Sequence, residues 1–339
     1  MARYDLSFDE LATRPALARE KPYRAKQIWD GLYDQLLDLD DITVLPKALR
    51  AELSADAAFR PALREMTRQE ADRGTTVKWL FELDGGAAVE TVLMHYPGRT
   101  TVCVSSQAGC AMACGFCATG QAGFTRHLTA GEIVEQVVLA AREARRTGRR
   151  LSNVVFMGMG EPLANYEPTW TAVTRLHEAL GLSARHITIS TVGVVPGIHR
   201  LAREDLPVGL AVSLHAANDK LRSELVPINK RYPLATLIAA CRGYIGNRNR
   251  RLSFEWACIA GINDRVSDAD ELAEIAVALG AHVNLIPLNP TPGYLVMGSS
   301  RPAVHAFAAA LRERGVNATV RQTRGTAIDA ACGQLANRH

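Results

Sequence analysis

Residues 100–120, TTVCVSSQAGCAMACGFCATG, carry a short apolar run (100–106) straight into a loop where Cys110, Cys114 and Cys117 are spaced C-x3-C-x2-C. Gly109, Gly115 and Gly120 let that loop fold back on itself. Downstream the same apolar pattern recurs in NVVFMGMGEP (153–162), HITISTVG (186–193), VGLAVSLHA (208–216), LSFEWACIAG (252–261) and VNLIPLNPTPG (283–293), with helix-length segments between most of the runs. Counting 100–106, six strands are expected. Near-continuous apolar runs alternating with helices suit parallel strands covered on both faces, so the fold class is α/β, a barrel or an open doubly wound sheet. Gly160-Glu161, Ser190, Ser213 to His215 and Asn289 cluster at the C-terminal ends of these runs. In parallel α/β folds that edge holds the site.

Upstream of residue 100 the periodicity differs. TVKWLFEL (76–83) and AAVETVLMHY (87–96) flank Asp84-Gly85-Gly86 and read as a β-hairpin. Residues 7–57 read as short helices: Ser7 and Glu10 fit a capping box, Ile28, Leu32, Leu36 and Leu37 recur at helical spacing, and Pro46 opens a third helix. The expected organisation is a helical accessory domain over 1–75, a candidate for RNA contact. A catalytic domain follows over 76–339, with the hairpin as its N-terminal extension.

The 339 residues are 47% hydrophobic and 22% charged, which excludes a fully disordered or collagen-like chain. The net charge of +4 is too mild to announce a nucleic-acid binder by itself. It is unevenly spread, however: residues 1–75 are slightly acidic, and the excess of lysine and arginine lies beyond them. The N-terminal MARYDLSFDELATRP has no apolar signal core, and nowhere do about 18 apolar residues run together. A cytoplasmic protein with no membrane partner is expected. Its seven cysteines are then reduced thiols suited to metal or redox chemistry, not a disulfide scaffold.

Three thiols so close in sequence have metal-site spacing. Structural zinc would need a fourth ligand, for which His127 is the candidate. A [4Fe–4S] cluster held by three cysteines leaves one iron open to an exogenous ligand. The alternative, three cysteines packed as small apolar residues, sits poorly with a glycine-bearing loop.

The stretches VSSQAGCAMACGFCATGQAGFTRHLT (104–129), MGMGEPLANY (157–166), SLHAANDKLRSELVPINK (213–230), NLIPLNPTPG (284–293) and RGTAIDAACGQLA (324–336) closely resemble the RlmN/Cfr family of radical S-adenosylmethionine (SAM) RNA methyltransferases. The resemblance is ordered and spans about residues 76–336. It implies a radical-SAM partial (βα)6 barrel and a [4Fe–4S] cluster on Cys110, Cys114 and Cys117. SAM, used twice per turnover, would contact Gly160, Glu161, Ser190, Ser213, Leu214, His215 and Asn289.

The implied reaction is methylation of adenine C2, most as in RlmN, at A2503 of 23S rRNA and A37 of tRNA. Adenine C2 lies between two ring nitrogens and is too electron-poor to attack a SAM methyl, which is why a carbon radical is required. Cys332 matches the methyl-carrying cysteine, Cys103 the thiol that resolves the protein–RNA adduct through a transient disulfide, and Glu90 the proton acceptor. Whether Glu90 or Cys103 takes the C2 proton is left open. On residue chemistry alone, Glu90 reads as a surface glutamate and Cys103 as a core residue. Cys241 and Cys258 read as packing.

An external one-electron reductant such as flavodoxin or ferredoxin, and a monomeric chain, complete the expectation. REARRTGRR (142–150), with Lys220, Arg222, Lys230, Arg231, Arg321 and Arg324, supplies candidate RNA contacts. Met112 and Phe116 are candidates to shield the cluster. Two alternatives stand beside this reading: Cfr-type methylation at C8 of the same base, and a non-catalytic metal-containing RNA-binding module.

Overall fold

The computed structural model describes residues 2–246 and 250–335. Its strands are β1 (Leu63–Ala71), β2 (Thr76–Leu83), β3 (Ala88–Tyr96), β4 (Arg99–Cys103), β5 (Gln107–Gly109), β6 (Phe124–His127), β7 (Asn153–Phe156), β8 (Ile187–Thr191), β9 (Gly209–Ser213), β10 (Leu252–Cys258), β11 (His282–Pro287) and β12 (Ala318–Val320). The helices of the N-terminal part are α1 (Phe8–Ala12), α2 (Tyr23–Tyr33) and α3 (Lys47–Ala55). They are followed by α4 (Ala118–Gln121), α5 (Ala130–Arg146), α6 (Tyr166–Glu178), α7 (Val195–Leu201), α8 (Asp219–Leu225), α9 (Leu234–Ile245), α10 (Val266–Leu279) and α11 (Arg301–Glu313).

All six expected runs are strands of one sheet, side by side and parallel, with β4 next to β7 and then β8, β9, β10 and β11 in chain order. Parallel neighbours must be joined by crossovers, and the helices between them provide these. Helix α5, the crossover from β4 toward β7, starts at a capping box in which Thr129 and Glu132 each satisfy the other's backbone N–H. Because every strand of the run points the same way, its C-terminal ends share one edge. This is the partial (βα)6 barrel, extended by a seventh parallel strand, β12, on β11.

The hairpin over 76–96 forms as β2 and β3 and joins the sheet antiparallel through β4. A further strand precedes it. Residues 63–71, expected to belong with the helical segment, form β1 and pair with β2. The cysteine loop does not follow β4 directly either. It is carried by a separate two-stranded ribbon, β5 and β6, closed where Gly109 adopts φ +74° and a Cβ would lie 2.0 Å from the Gly123 carbonyl oxygen.

The N-terminal helices begin as expected, α1 with the Ser7–Glu10 capping box and α3 after Pro46. Helix α2 stops at Tyr33, and Leu36 lies beyond it at φ +58°. Leu11, Ile28, Leu32, Leu49 and Leu53 are buried in the same continuous core as Val134, Val137 and Val138 of α5. Polar ties reinforce this packing: buried Arg3 meets Glu135 at 2.9 Å, and Arg142 donates to the Leu36 carbonyl at 2.6 Å and to Asp38 at 2.9 Å. No helix among the described residues is long and apolar enough to cross a membrane.

Candidate active site

A cleft opens at the C-terminal edge of the parallel strands, beneath the cysteine loop. Cys110, Cys114, Cys117, Gly160, Glu161, Ser190, Ser213, His215, Asn289 and Cys332 all line it. Residues spread over more than two hundred positions thus converge: strand ends and the cysteine loop of the ribbon supply most of the lining, and the C-terminal segment beyond β12 brings in Cys332. Leu214 is the exception among the expected SAM contacts. It is fully buried outside the lining, and its backbone N–H donates to the Glu255 carbonyl at 3.0 Å.

Among the described residues, no three His, Cys, Asp or Glu side chains are gathered as the ligand shell of a bare ion. The three cysteines instead share one wall of the cleft. Burial pushes the Cys110 thiol up to about 12 and Cys114 higher still, and the charges of Cys110 and Cys117 add to the rise at Cys114. Thiols that influence one another, cost energy to ionise alone and face one cavity suit a polynuclear iron–sulfur group, whose positive irons would hold them as thiolates. His127 does not complete a zinc site: its Nδ1 is 3.0 Å from Gln107 Nε2, and it lies outside the cleft lining. Met112 and Phe116 do line the cleft. Phe116 meets His215 edge-on at 4.8 Å and Tyr294 at 6.5 Å.

Glu161 is buried and accepts the backbone N–H groups of Leu163 at 3.0 Å and Val192 at 2.9 Å. Desolvation still raises its pKa to about 7. Gly160, at φ +98°, has no room for a side chain, since a Cβ would fall 2.5 Å from that of Gln107. The Gln107 amide oxygen in turn accepts the Glu161 N–H at 2.8 Å. His215 is held neutral by burial, its pKa depressed to about 3. Its Nδ1 accepts the Ala257 N–H at 3.0 Å, so the neutral ring carries its proton on Nε2.

Arg222, expected as an RNA contact, is fully buried behind the cleft. It donates to the carbonyls of Leu214 at 3.2 Å and Val192 at 2.6 Å and to Asn229 Oδ1 at 2.8 Å, joining the ends of β8 and β9. Desolvation lowers its pKa to about 10. Nothing in its sequence context distinguishes it from a surface arginine. The 142–150 run also divides: Arg142 and Arg145 donate to the carbonyls of Leu36, Gln35 and Asp34, and Arg146 pairs with Glu143 at 2.7 Å. Arg149 and Arg150 stay exposed.

A second, smaller cavity adjoins the first and is lined by Cys103, Cys332, Met94, Tyr96, Arg321 and Arg324, among others. Cys332 lines both cavities, as do Asn289 and Arg321. Asn289 Nδ2 donates to the Cys332 carbonyl at 3.0 Å, and the Ala118 N–H of the cluster helix donates to the Gly333 carbonyl at 2.8 Å. Cys103 and Cys332 are free thiols. Burial, and secondarily the charge of Cys332, raise the Cys103 pKa to about 12. Arg321 lies 3.6 Å from Glu255, a buried cleft residue that sequence reasoning missed within the apolar run of β10.

Glu90 is not on the surface. It is buried in β3, paired with Lys78 at 2.8 Å, and lines neither cavity. Cys241 and Cys258 are fully buried in the core, as expected of packing residues.

The Radical SAM superfamily model matches residues 104–278. A relative from Chloroflexus aurantiacus, named as a probable dual-specificity RNA methyltransferase RlmN, is 50% identical over 99% of this chain and 93% of its own. Another of that name, from Frankia alni, is 52% identical over 98% of this chain and 82% of its own. A solved radical SAM methyltransferase from Sphaerobacter thermophilus superposes with a TM-score of 0.96 at 54% identity, covering 100% of both chains. Barrel, cysteine loop and cleft are those of a radical SAM protein. With about half of its residues identical over nearly its full length, the chain belongs to the RlmN/Cfr family, on the RlmN side of it.

Proposed function

We propose that the chain is a radical SAM RNA methyltransferase that methylates C2 of adenine, at A2503 of 23S rRNA and A37 of tRNA, through a methylated Cys332. The observation that carries this reading is the position of Cys332, in the lining of both the cleft of the three cysteines and the cavity of Cys103. A methyl carrier needs that double access, first to the donor and then to the base.

Cys110, Cys114 and Cys117 would hold the [4Fe–4S] cluster. Bound there, such a cluster would supply the single electron for reductive cleavage of SAM to a 5′-deoxyadenosyl radical. Gly160 leaves backbone room for the methionyl group, and Glu161 offers carboxylate lone pairs to its ammonium. Ser190, Ser213, His215 through Nε2–H and Asn289 offer polar groups to carboxylate and ribose. Cys332 would carry the methyl as a thioether; the 5′-deoxyadenosyl radical would take one hydrogen atom from it, becoming 5′-deoxyadenosine, and the resulting carbon radical would bond to adenine C2.

The C2 proton passes to Cys103 or Glu90; of the two, Cys103 shares a cavity with Cys332. Cys103 thiolate sulfur would then bond to Cys332 sulfur as the sulfur–methylene bond breaks, the methylene carbon taking a proton to become the C2 methyl. The one electron left over would return to the cluster held by the three cysteines, and a thiol reductant would return both cysteines to thiols. A one-electron donor such as flavodoxin or ferredoxin completes the cycle. Residues 1–75 are proposed as an accessory RNA-contacting domain.

The test is mass spectrometry of rRNA and tRNA from cells lacking the gene, complemented with wild type or Cys332→Ala. Loss of 2-methyladenosine, restored by wild type alone, is the expected result. Loss of 8-methyladenosine instead selects the C8 reaction. Purified protein that binds one zinc, stays colourless and forms no 5′-deoxyadenosine under reductant would leave only a metal-containing RNA-binding module.

A further inference from the structure

At the mouth of the second cavity two arginines lie over one aromatic ring. The guanidinium carbon of Arg324 is 4.4 Å from the Tyr96 ring centroid, and that of Arg99 is 4.6 Å from it. Tyr96 and Arg324 line the cavity that also contains Cys103 and Cys332. Arg324 is fixed by donating from Nη1 to Thr75 Oγ1 at 3.0 Å and to the His95 carbonyl at 3.1 Å. Arg99 is exposed at the start of β4, beside the turn from β3.

Several other arginines are paired with carboxylates. Arg68 pairs with Glu70 and Glu143, Arg146 with Glu143, and Arg321 faces Glu255. Among the described residues, neither Arg99 nor Arg324 has a carboxylate within ion-pairing distance. The nearby Asp72 carboxylate is taken up by Thr76 Oγ1 and the Gly325 N–H. Arg149 adds positive charge from a third segment: after burial itself, its charge lowers the His95 pKa, opposed by Glu143, which is paired with Arg68 and Arg146, and Arg324 lowers it further.

Two guanidiniums held against one ring, with no ion-paired carboxylate among the described residues, make a site suited to an external anion. Arg324 uses Nη1 for the Thr75 and His95 bonds, which leaves its Nε–H and Nη2–H for a ligand, and a guanidinium edge matches a phosphodiester better than a lone chloride. A polyanion that must present one group inside the adjoining cavity is a nucleic acid with a displaced nucleotide.

We propose that Arg99 and Arg324, stacked on Tyr96, seat the RNA phosphates flanking the nucleotide whose base enters the second cavity to meet Cys332. This rests on the RNA-methyltransferase reading and adds to it a direction of approach. RNA arrives from the β3–β4 turn, opposite Cys332 from the cleft assigned to SAM. Phosphate seats of this kind fix register and carry no sequence preference.

The experiment is fluorescence anisotropy of the full-length protein with a fluorescein-labelled RNA stem-loop bearing an unpaired adenine, titrated across salt. Removing one phosphate-binding cation lowers the slope of log affinity against log salt by about 0.7–1. Arg99→Ala should weaken binding several-fold and lower the slope by that amount, Arg99→Ala/Arg324→Ala by about twice as much. Arg99→Lys should keep the slope. Arg200→Ala, whose arginine pairs with Glu167 elsewhere on the surface, should match the parent. A double variant with parental affinity and slope overturns the proposed seat and leaves the methyltransferase reading standing. A parent chain that binds no RNA stem-loop overturns both.

Discussion

Asn289 holds Cys332 by its backbone: the side-chain amide donates to the Cys332 carbonyl at 3.0 Å from the loop after β11. A residue expected to touch SAM therefore also fixes the segment carrying the thiol. Removing one such neutral bond costs on the order of 1 kcal/mol of stability, too little to unfold the chain. Asn289→Ala should nevertheless loosen residues around Cys332. Alkylation of Cys332 by N-ethylmaleimide, followed by peptide mass spectrometry, should run faster in the variant, while Cys103 stays slow. Equal rates at Cys332 in the two proteins would show that the bond positions nothing.

The cysteines divide by their surroundings. Cys110, Cys114 and Cys117 line the cleft, whereas Cys241 and Cys258 are fully buried in the core. Alanine at any one of the first three should abolish stable iron and sulfide incorporation on anaerobic reconstitution, read by metal analysis and visible absorption. Cys241→Ala and Cys258→Ala should lose about 1 kcal/mol of stability from the vacated volume and keep full iron content. Iron loss in either of those two would reassign the ligand set.

What could be read in advance follows from where the chemistry sits. The cysteine loop, Gly160-Glu161, Ser190, Ser213, His215 and Asn289 were legible because parallel strands bring all their C-terminal ends to one edge. Strand β1 was not. In LREMTRQEA all but the first and last residues are exposed, so no apolar face marks a period of two. Strand β12 is three residues long and offers no pattern. The burial of Arg222, and of Glu90 against its surface alternative, is not legible for one reason: a charged residue reads as surface until its partners are known. Those partners are carbonyls after β8 and β9 in one case and Lys78 across a strand pair in the other. The 142–150 arginines were visible as a cluster, but their use in holding the chain just after α2 depends on bonds that span more than a hundred residues.

The docking of the N-terminal helices rests on a buried charge pair that is sensitive to removal of one partner. Arg3 meets Glu135 at 2.9 Å, and Glu135 also accepts the Ala62 N–H at 2.6 Å. Glu135→Ala leaves the Arg3 charge buried with only half-exposed Asp38 beside it. A cost of about 3–5 kcal/mol is expected. Arg3→Met/Glu135→Leu, which removes both charges, should recover most of that loss in urea denaturation. A double variant as unstable as Glu135→Ala would locate the cost in the Ala62 bond.

Glu161 makes stability depend on pH in a direction opposite to that of a salt-bridged carboxylate. Burial raises its pKa from 4.5 to about 7, despite the two backbone N–H groups it accepts. Between those values the unfolded chain releases the proton and the folded chain retains it. This contribution to stability is fully present below about pH 4.5 and is lost as pH rises through 7, by on the order of 3 kcal/mol in all. Glu161→Gln cannot ionise and loses one acceptor, so it should be somewhat less stable than wild type at pH 5. At pH 7.5 the gap should narrow or reverse. Urea denaturation of the two metal-free proteins at both pH values measures this, and a gap independent of pH would mean that Glu161 ionises freely in the empty cleft. The same burial gives the residue its use. An ammonium group entering beside Glu161 favours the carboxylate, so a ligand carrying one should bind wild type more tightly as pH rises from 6 toward 8. Glu161→Gln should bind it with no such trend.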